Sequence, residues 1–453
     1  MPNVVLLISD EHNPRYASVY GHPFVRTPHM ERLAARGTVY DAACCPSPLC
    51  VPARAAFMTG KYVHEIQVYS NVVVNMEYDY PTWGSVLAGQ GVHTVHVGKV
   101  HVHNHPDTLG FSEMLTEEGF HVPTSAGHGR TPLMINVGGA KRADGFGPRD
   151  DAFDRDLRRM ERTLDWLHAN ATTLDRPWVL SVNLVKPHFP HYVTPELWKM
   201  YDGRGDLPAH GPDCETARHP YMRDLREHFE TERFTEEQVR GLRRGYYGGV
   251  TFVDEQLGRL LDTLDASGIL DDTVVIYTTD HGEMLGKFGM WWKCTLLEDA
   301  VRVPLIAAGP GFGAGARVTT PVDLLDVQAT IFRAVDAARP DDWRGAPLQD
   351  LDPDDSERVV FSEYHGHGTR SGAFMIRKGD WKLIHCMDAP DLLFNVADDP
   401  EELHNRLDAE PRKAAELEAE LRKICSPERE NERAHAFERR QFETLAEITR
   451  DSP

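Results

Sequence analysis

The chain has 453 residues, 41 % of them hydrophobic and 26 % charged, and a formal net charge of −21. That length exceeds what one hydrophobic core usually holds and fits a large domain with a smaller companion. The acidic balance argues against a nucleic-acid partner, because a phosphate backbone requires a basic surface, yet a local positive pocket can still hold a small anionic ester.

Val4 to Ile8 is a continuous apolar run of strand length that ends on Ser9-Asp10-Glu11-His12-Asn13. It is too short for a secretory leader and lacks the basic start of one, and no run is apolar and long enough to cross a bilayer. A cytoplasmic protein with no membrane partner is therefore expected. Continuous apolar strands are buried on both faces, and open α/β sheets place ligands at their carboxyl ends. Asp10 and Glu11 are thus candidate metal ligands, although a turn acid after a strand is more often a helix cap.

The seven cysteines, Cys44, Cys45, Cys50, Cys214, Cys294, Cys386 and Cys425, are odd in number and scattered, which does not suggest a disulfide framework. Cys44 and Cys45 read as buried packing. In Cys50-Val51-Pro52-Ala53-Arg54, Pro52 suits the first helical position because it has no amide proton to leave unpaired, and Gly60 suits the stop. Cys50 would then cap a short helix, where unpaired amides and the positive dipole end favour an anion. Arg54, one turn later on the same face, can reach that anion. A cysteine before a helix is otherwise a small buried hydrophobe.

Asn71 reads as a turn residue. Pro81 to Leu87 begin a helix, and His93 to Gly98 form a strand that delivers Lys99-Val100-His101-Val102-His103. Alternation puts Lys99, His101 and His103 on one face, and histidines set so closely also admit zinc. From Thr108 to Arg149 the chain is polar and Gly-rich, as expected of loops near a substrate entrance. Phe153, Leu157, Met160, Leu164 and Leu167 repeat at helical spacing, a core-facing stripe. Trp178 to Leu184 is another strand, with His188 just beyond its end, and residues 192–233 read as a charged lid.

Thr235 and Gln238 form a capping box for a helix through Tyr246, Val250, Val253, Leu257, Leu260 and Leu264. Thr273 to Tyr277 is a third buried strand, ending in Thr278-Thr279-Asp280-His281-Gly282. Asp280 and His281 can both turn toward one cation, and Gly282 lets the backbone bend closely around it. Lys293 sits in an apolar-aromatic run, where a charge needs a reason. A boundary near Pro347 divides a catalytic domain, 1–347, from a C-terminal subdomain, 348–453. The latter reads as four short antiparallel strands and a helix from Ala414 to Leu421. Tyr364 to His367 are expected to lean over the site. The charged run from Ser426 reads as a solvated tail, with a subunit arm, and so a homo-oligomer, as the alternative.

Taken together, these motifs resemble the type I sulfatases, in which the cysteine is oxidised after translation to a formylglycine aldehyde. Cys50, Pro52 and Arg54 match the modification signature, with Ala53 as its small residue. Asp10 matches the first of the family's paired metal-binding residues. Glu11 departs from the usual second, Asp or Gln. Gly98-Lys99-Val100-His101 resembles the Gly-Lys-x-His element, Pro187-His188-Phe189-Pro190 the Pro-His-x-Pro element, and Asp280-His281 the second ligand pair. Asn71 and Lys293 are similar to positions in the branch that holds choline sulfatases and phosphonate monoester hydrolases.

The resemblance implies an alkaline phosphatase-like α/β fold, a large mixed sheet flanked by helices, with a smaller C-terminal α+β domain. It implies hydrolysis of a small sulfate monoester by a formylglycine gem-diol on one divalent metal, calcium by family precedent with manganese as the alternative. Asp10, Glu11, converted Cys50, Asp280 and His281 would be its ligands. Arg54, Lys99 and Lys293 would neutralise the transferring group, Asn71 would contact the ester, His101 would serve the aldehyde, and His188 would protonate the leaving oxygen. A formylglycine-generating maturation enzyme is the implied partner.

The nearest rival is a phosphonate monoester or phosphodiester hydrolase, a group that carries Tyr and Thr where Lys99 and His101 stand. A non-catalytic anion-binding protein on the same scaffold would have lost ligand and lysine positions, and this sequence has lost none.

Overall fold

The computed structural model describes residues 2–71, 80–102, 108–115 and 139–450. His103 and much of the Gly-rich loop stretch lie outside the described residues. The sheet that organises the chain contains β1 (Asn3–Asp10), β2 (Gly37–Tyr40), β3 (His93–Gly98), β4 (Glu113–Leu115), β5 (Trp178–Pro187), β6 (Thr273–Thr279), β7 (Ile306–Ala308) and β8 (Ala316–Val318). Their order across the sheet is β8-β2-β7-β6-β1-β5-β3-β4. β1 pairs in parallel with both β5 and β6, whereas β7 runs antiparallel to β6 and β2.

Five helices cover the sheet: α1 (Pro28–Arg36), α2 (Cys50–Thr59), α3 (Asp154–Asn170), α4 (Glu236–Ala266) and α5 (Leu324–Ala334). Because strand side chains alternate, β1 feeds two cores. Val5 and Leu7 join Met30 of α1, Met160 of α3 and Leu257 of α4, while Val4, Leu6 and Ile8 join Phe57 of α2 and Ile331 of α5. Each such buried side chain contributes about 1.5–3 kcal/mol. The capping box opens α4 as the sequence predicts, with the Gln238 amide donating to Thr235 Oγ1 at 3.2 Å.

The parallel strands β1, β5, β6 and β3 end on the same edge, so Asp10, His188, Asp280 and Lys99 emerge together. At that edge β1 and β5 separate. Their register shifts after the Ile8–Asn183 pair and resumes at Asp10–Pro187, which opens a crevice.

A second sheet, β9 (Val359–Tyr364), β10 (Ala373–Lys378), β11 (Trp381–Cys386) and β12 (Leu392–Asn395), is an antiparallel meander. Helix α6 (Pro411–Ile424) buries Leu417 and Leu421 against its Phe361, Phe374 and Leu393. The fold class is therefore the one expected, a mixed sheet flanked by helices plus a small α+β unit. At the junction, Glu363 accepts from the His64 backbone amide and pairs with the His64 and His365 rings, each at 2.8 Å.

The solvated-tail expectation is overturned. Helix α7 (Pro427–Arg450) folds back, and its Ala434 and Phe437 pack on Val51, Ala55 and Ala56 of α2 and on Tyr69. Tyr69 donates its hydroxyl proton to Glu430 at 3.2 Å, and Asn431 Oδ1 accepts from the Gly372 amide at 2.8 Å. High charge hid a narrow apolar stripe, which is all a docked surface helix needs. Among the described residues no helix is long and apolar enough to cross a membrane, and all seven cysteines are free.

Phe437→Ala should lower the unfolding free energy by about 3 kcal/mol. Chemical denaturation reads this directly, and an unchanged midpoint would mean that α7 does not dock in solution.

Candidate active site

Helix α2 starts two residues before the position that Pro52 suggests. Leu49 is its cap and Cys50 its first residue, and the first turn closes with the Ala53 amide on the Leu49 carbonyl at 2.9 Å. The earlier start is supported from outside the helix, because Asn71 Oδ1 accepts from the Val51 amide at 3.0 Å. Asn71 thus caps the helix that carries Cys50. Gly60 ends α2 in the left-handed conformation, as expected.

Cys50 is 1 % exposed and lies at the focus of the converging strand ends. Its Sγ is 3.1 Å from His281 Nε2. His101 also hydrogen-bonds the thiol, and Lys293 and Lys99 lie close enough to act on its charge. Burial alone would raise the Cys50 thiol, but Lys293, Lys99, His281 and the His101 hydrogen bond together hold it well below the ordinary thiol value.

Two acids, Asp10 and Asp280, face two cations, Lys99 and Arg54. Lys99 Nζ pairs with Asp10 Oδ2, and Arg54 Nη2 lies 3.5 Å from the same oxygen. Arg54 Nε donates to Asp280 Oδ2 at 2.8 Å, and its Nη1 donates to Asn183 Oδ1 at 3.2 Å. Asp10 would be raised by burial, but Lys99, His188 and Arg54 bring its carboxyl below the usual range.

Glu11 occupies a left-handed backbone conformation, φ 66°, which turns its carboxylate under the site. There it lies 3.1 Å from Lys293 Nζ and 3.3 Å from His188 Nε2. Burial pushes the Glu11 carboxyl up to about 7 against the opposing pull of His188 and Lys293. Lys293 Nζ is itself 2.9 Å from His188 Nε2, while His188 Nδ1 meets the Phe189 carbonyl at 2.6 Å.

One donor set fits a divalent cation. Single ligand atoms of Asp10, Cys50, Asp280 and His281 lie within 4.8 Å of one another, as do those of Asp10, Glu11 and His188. Asp10 Oδ1 is buried without a hydrogen-bond donor, 3.9 Å from His281 Nε2, and Asp280 Oδ1 is 3.7 Å from that nitrogen. Oxygens bound at about 2.3–2.6 Å around one calcium ion have separations of this size. Burial would lower the His281 imidazole, yet Asp280 and the Cys50 thiolate push it up to about 9, a balance that a bound cation reverses. Gly282 permits the turn beneath, since a Cβ there would stand 2.1 Å from the Asp299 carbonyl oxygen.

The sequence-predicted residues Asp10, Glu11, Cys50, Arg54, Lys99, His101, His188, Asp280, His281 and Lys293 all converge here. Strand alternation is not how Lys99 and His101 arrive. β3 stops at Gly98, φ 89°, and His101 has a left-handed φ of 45°, so a turn delivers both. The sequence reasoning missed Asn183, although a polar residue inside the apolar run Ser181-Val182-Asn183-Leu184 signals a buried partner. It also missed Arg142, Phe229 and Trp292. Within residues 192–233, Phe229 packs on Trp292 with centroids 4.8 Å apart, and His367 lies 5.9 Å from the Phe229 ring.

A sequence profile described as Sulfatase matches residues 2–337, and one described as N-sulphoglucosamine sulphohydrolase, C-terminal, matches residues 286–430. The choline-sulfatase of Rhizobium meliloti (strain 1021) is 30 % identical over 88 % of this chain and 81 % of its own length. Arylsulfatase K of Bos taurus is 26 % identical over 88 % of this chain and 76 % of its own. The phosphonate monoester hydrolase of Agrobacterium radiobacter superposes with a TM-score of 0.76 at 23 % identity, covering 94 % of this chain and 95 % of that one.

With Cys50 unconverted, its thiol should ionise well below the ordinary thiol range. Ultraviolet thiolate absorbance should vanish in Cys50→Ser and move to higher pH in Lys293→Met, whereas a thiol that titrates in the ordinary range would contradict the charge balance described.

Proposed function

This chain belongs to the sulfatase family, and we propose that it hydrolyses a small sulfate monoester with formylglycine made from Cys50 as the nucleophile. The enzyme is a sulfatase of alkaline phosphatase-like fold, and sulfate-ester hydrolysis is supported at the level of the family. One observation carries the finer reading. Cys50, Asp10, Asp280 and His281 offer atoms within 4.8 Å of one another, and Arg54, Lys99 and Lys293 stand around them.

Asp10, Asp280 and His281 would hold one divalent ion, calcium rather than manganese on the oxygen-rich donor set, with Glu11 as a further donor on the Asp10 side. When bound, the ion supplies Lewis acidity that lowers the pKa of a coordinated hydroxyl. Formylglycine supplies, as its hydrate, two hydroxyls on one carbon, so that one can attack while the other remains to release the product. A maturation enzyme of the host would make that conversion.

The chain's own residues do the rest. Lys99 and Lys293 rest on Asp10 and Glu11 in this structure. With those carboxylates turned to a bound dication, both ammonium groups would be free to face the sulfonate oxygens, so that charge would be exchanged within the buried site instead of added to it. Arg54 holds Asp280 in place through Nε. His101, hydrogen-bonded to residue 50, is placed to take a proton from that side chain. His188, with Nε2 beside Lys293, acts as proton donor to the leaving oxygen. Asn71 fixes the start of α2. Residues 1–347 form the catalytic unit in this reading and 348–453 support it.

A tryptic peptide containing residue 50 should carry the formylglycine mass when the protein is made with a maturation enzyme. That protein should prefer sulfate monoesters to a phosphonate monoester and a phosphodiester assayed alongside, and preference for either of the latter would reassign the reaction. Cys50→Ala should abolish turnover. His188→Ala should cost roughly 10²–10⁴-fold on alkyl sulfates and much less on 4-nitrophenyl sulfate, whose leaving group needs no proton. Calcium added to chelator-treated protein should raise the unfolding temperature, by the equivalent of about 2.7 kcal/mol at a hundredfold excess over Kd. Asp280→Asn should remove that shift.

A further inference from the structure

Beside the leaving-group side of the site, the guanidinium of Arg142 stands in a cage of three rings. Its Cζ is 4.9 Å from the centroid of Phe189, 5.1 Å from Trp292 and 5.6 Å from Phe229. Phe189 stacks on His188 with centroids 4.1 Å apart, and Lys293 Nζ lies 5.0 Å from the same Phe189 ring. Arg142 therefore adjoins the two side chains that flank the leaving oxygen. An aromatic cage of this kind is what a trimethylammonium group would require, and here the chain fills it with its own cation.

Among the described residues, no side-chain or carbonyl oxygen accepts a hydrogen bond from this half-buried guanidinium. The carboxylate whose charge it feels, Glu11, is engaged by Lys293 and His188. A guanidinium set among aromatic rings without an acceptor keeps its N–H donors available, in the fork that suits an anion.

We propose that Arg142 is a specificity residue that binds a second anionic group on the alcohol portion of the substrate, the shared chemistry of a carboxylate and a second sulfate. The proposal rests on the reading of His188 as facing the leaving group, and it names the substrate class of that same site. It also separates this chain from a choline-type activity. A quaternary ammonium brought to the cage would meet a fixed positive charge.

The test compares kcat/KM of the formylglycine-containing protein on four esters: 4-sulfooxybenzoate, 1,4-phenylene disulfate, 4-nitrophenyl sulfate and choline O-sulfate. Correction for leaving-group reactivity comes from the same esters on the Arg142→Ala protein. At least one of the two anionic esters should gain tenfold or more from Arg142, mainly through KM, with Arg142→Lys intermediate. The ester that gains more identifies the group. Choline O-sulfate should move the opposite way and improve relative to the others in Arg142→Ala. Ratios that do not change between the wild type and Arg142→Ala would overturn the proposal, as would an equal loss on all four esters. Calorimetric binding of the same esters to Cys50→Ala protein, with and without Arg142→Ala, reads the preference without turnover. A protein that hydrolyses none of the esters yet keeps the binding ratio would refute the sulfatase mechanism and leave the role of Arg142 standing.

Discussion

The site depends on matched charges held away from water. Arg54, Lys99 and Lys293 are each under 8 % exposed, and Asp10, Glu11 and Asp280 are at or near zero. Isolated ions so placed would be prohibitively costly, and removing one partner from such a set typically costs about 3–5 kcal/mol because the other is stranded. The cluster is therefore cooperative in assembly, and Arg54 of α2 and Lys293 of the loop beyond β6 need Asp10, Glu11, Asp280 and Lys99 delivered together at one strand edge. Parallel strands provide this, since their carboxyl ends share one edge and the shift in register between β1 and β5 opens room there.

In the proposed reaction residue 50 attacks, and charge alone would not fix it to the accuracy that this needs. Helix α2 gains that rigidity by being buried on every side. Its Phe57 and Met58 face the core beneath the sheet, while Val51, Ala55 and Ala56 meet α7. Asn71 accepts from the Val51 amide that the helix start would otherwise leave unpaired. The C-terminal unit is thus tied to the chemistry although it supplies none of the converging charges. Through Glu430, Ala434 and Phe437 it holds Tyr69 and the helix that carries Cys50, as positional precision at residue 50 demands.

Much of this was legible in sequence because strands buried on both faces are unmistakable and polar residues just beyond them stand out. Asp10, His188 and Asp280 were found that way, and Lys293 by its apolar neighbours. The errors have equally physical origins. Pro52 marks where a helix can start, but tertiary capping by Asn71 moved the start to Cys50. A strand period was extended past Gly98, where positive φ ends it, so Lys99 and His101 reach the site by a turn. The charged C-terminal run concealed Ala434 and Phe437 because a helix needs only a thin apolar stripe to dock.

Arg142 had no sequence signal at all, and the reason separates reaction from substrate. Most of the converging charged groups sit at or just beyond strand ends, whose positions follow from hydrogen-bonded register, and residue 50 sits on helix α2 beside them. The cage is assembled from four remote places: Arg142 in a short turn of helix, Phe189 just beyond β5, Phe229 at the end of another helix and Trp292 in the left-handed stretch before Lys293. No local pattern links residues that meet only through loops, and their identities can change without disturbing the sheet. A sequence of this architecture therefore declares what bond it breaks long before it declares whose bond that is. Here the rings that could have welcomed a cation surround an arginine instead, and the same scaffold turns toward an anion.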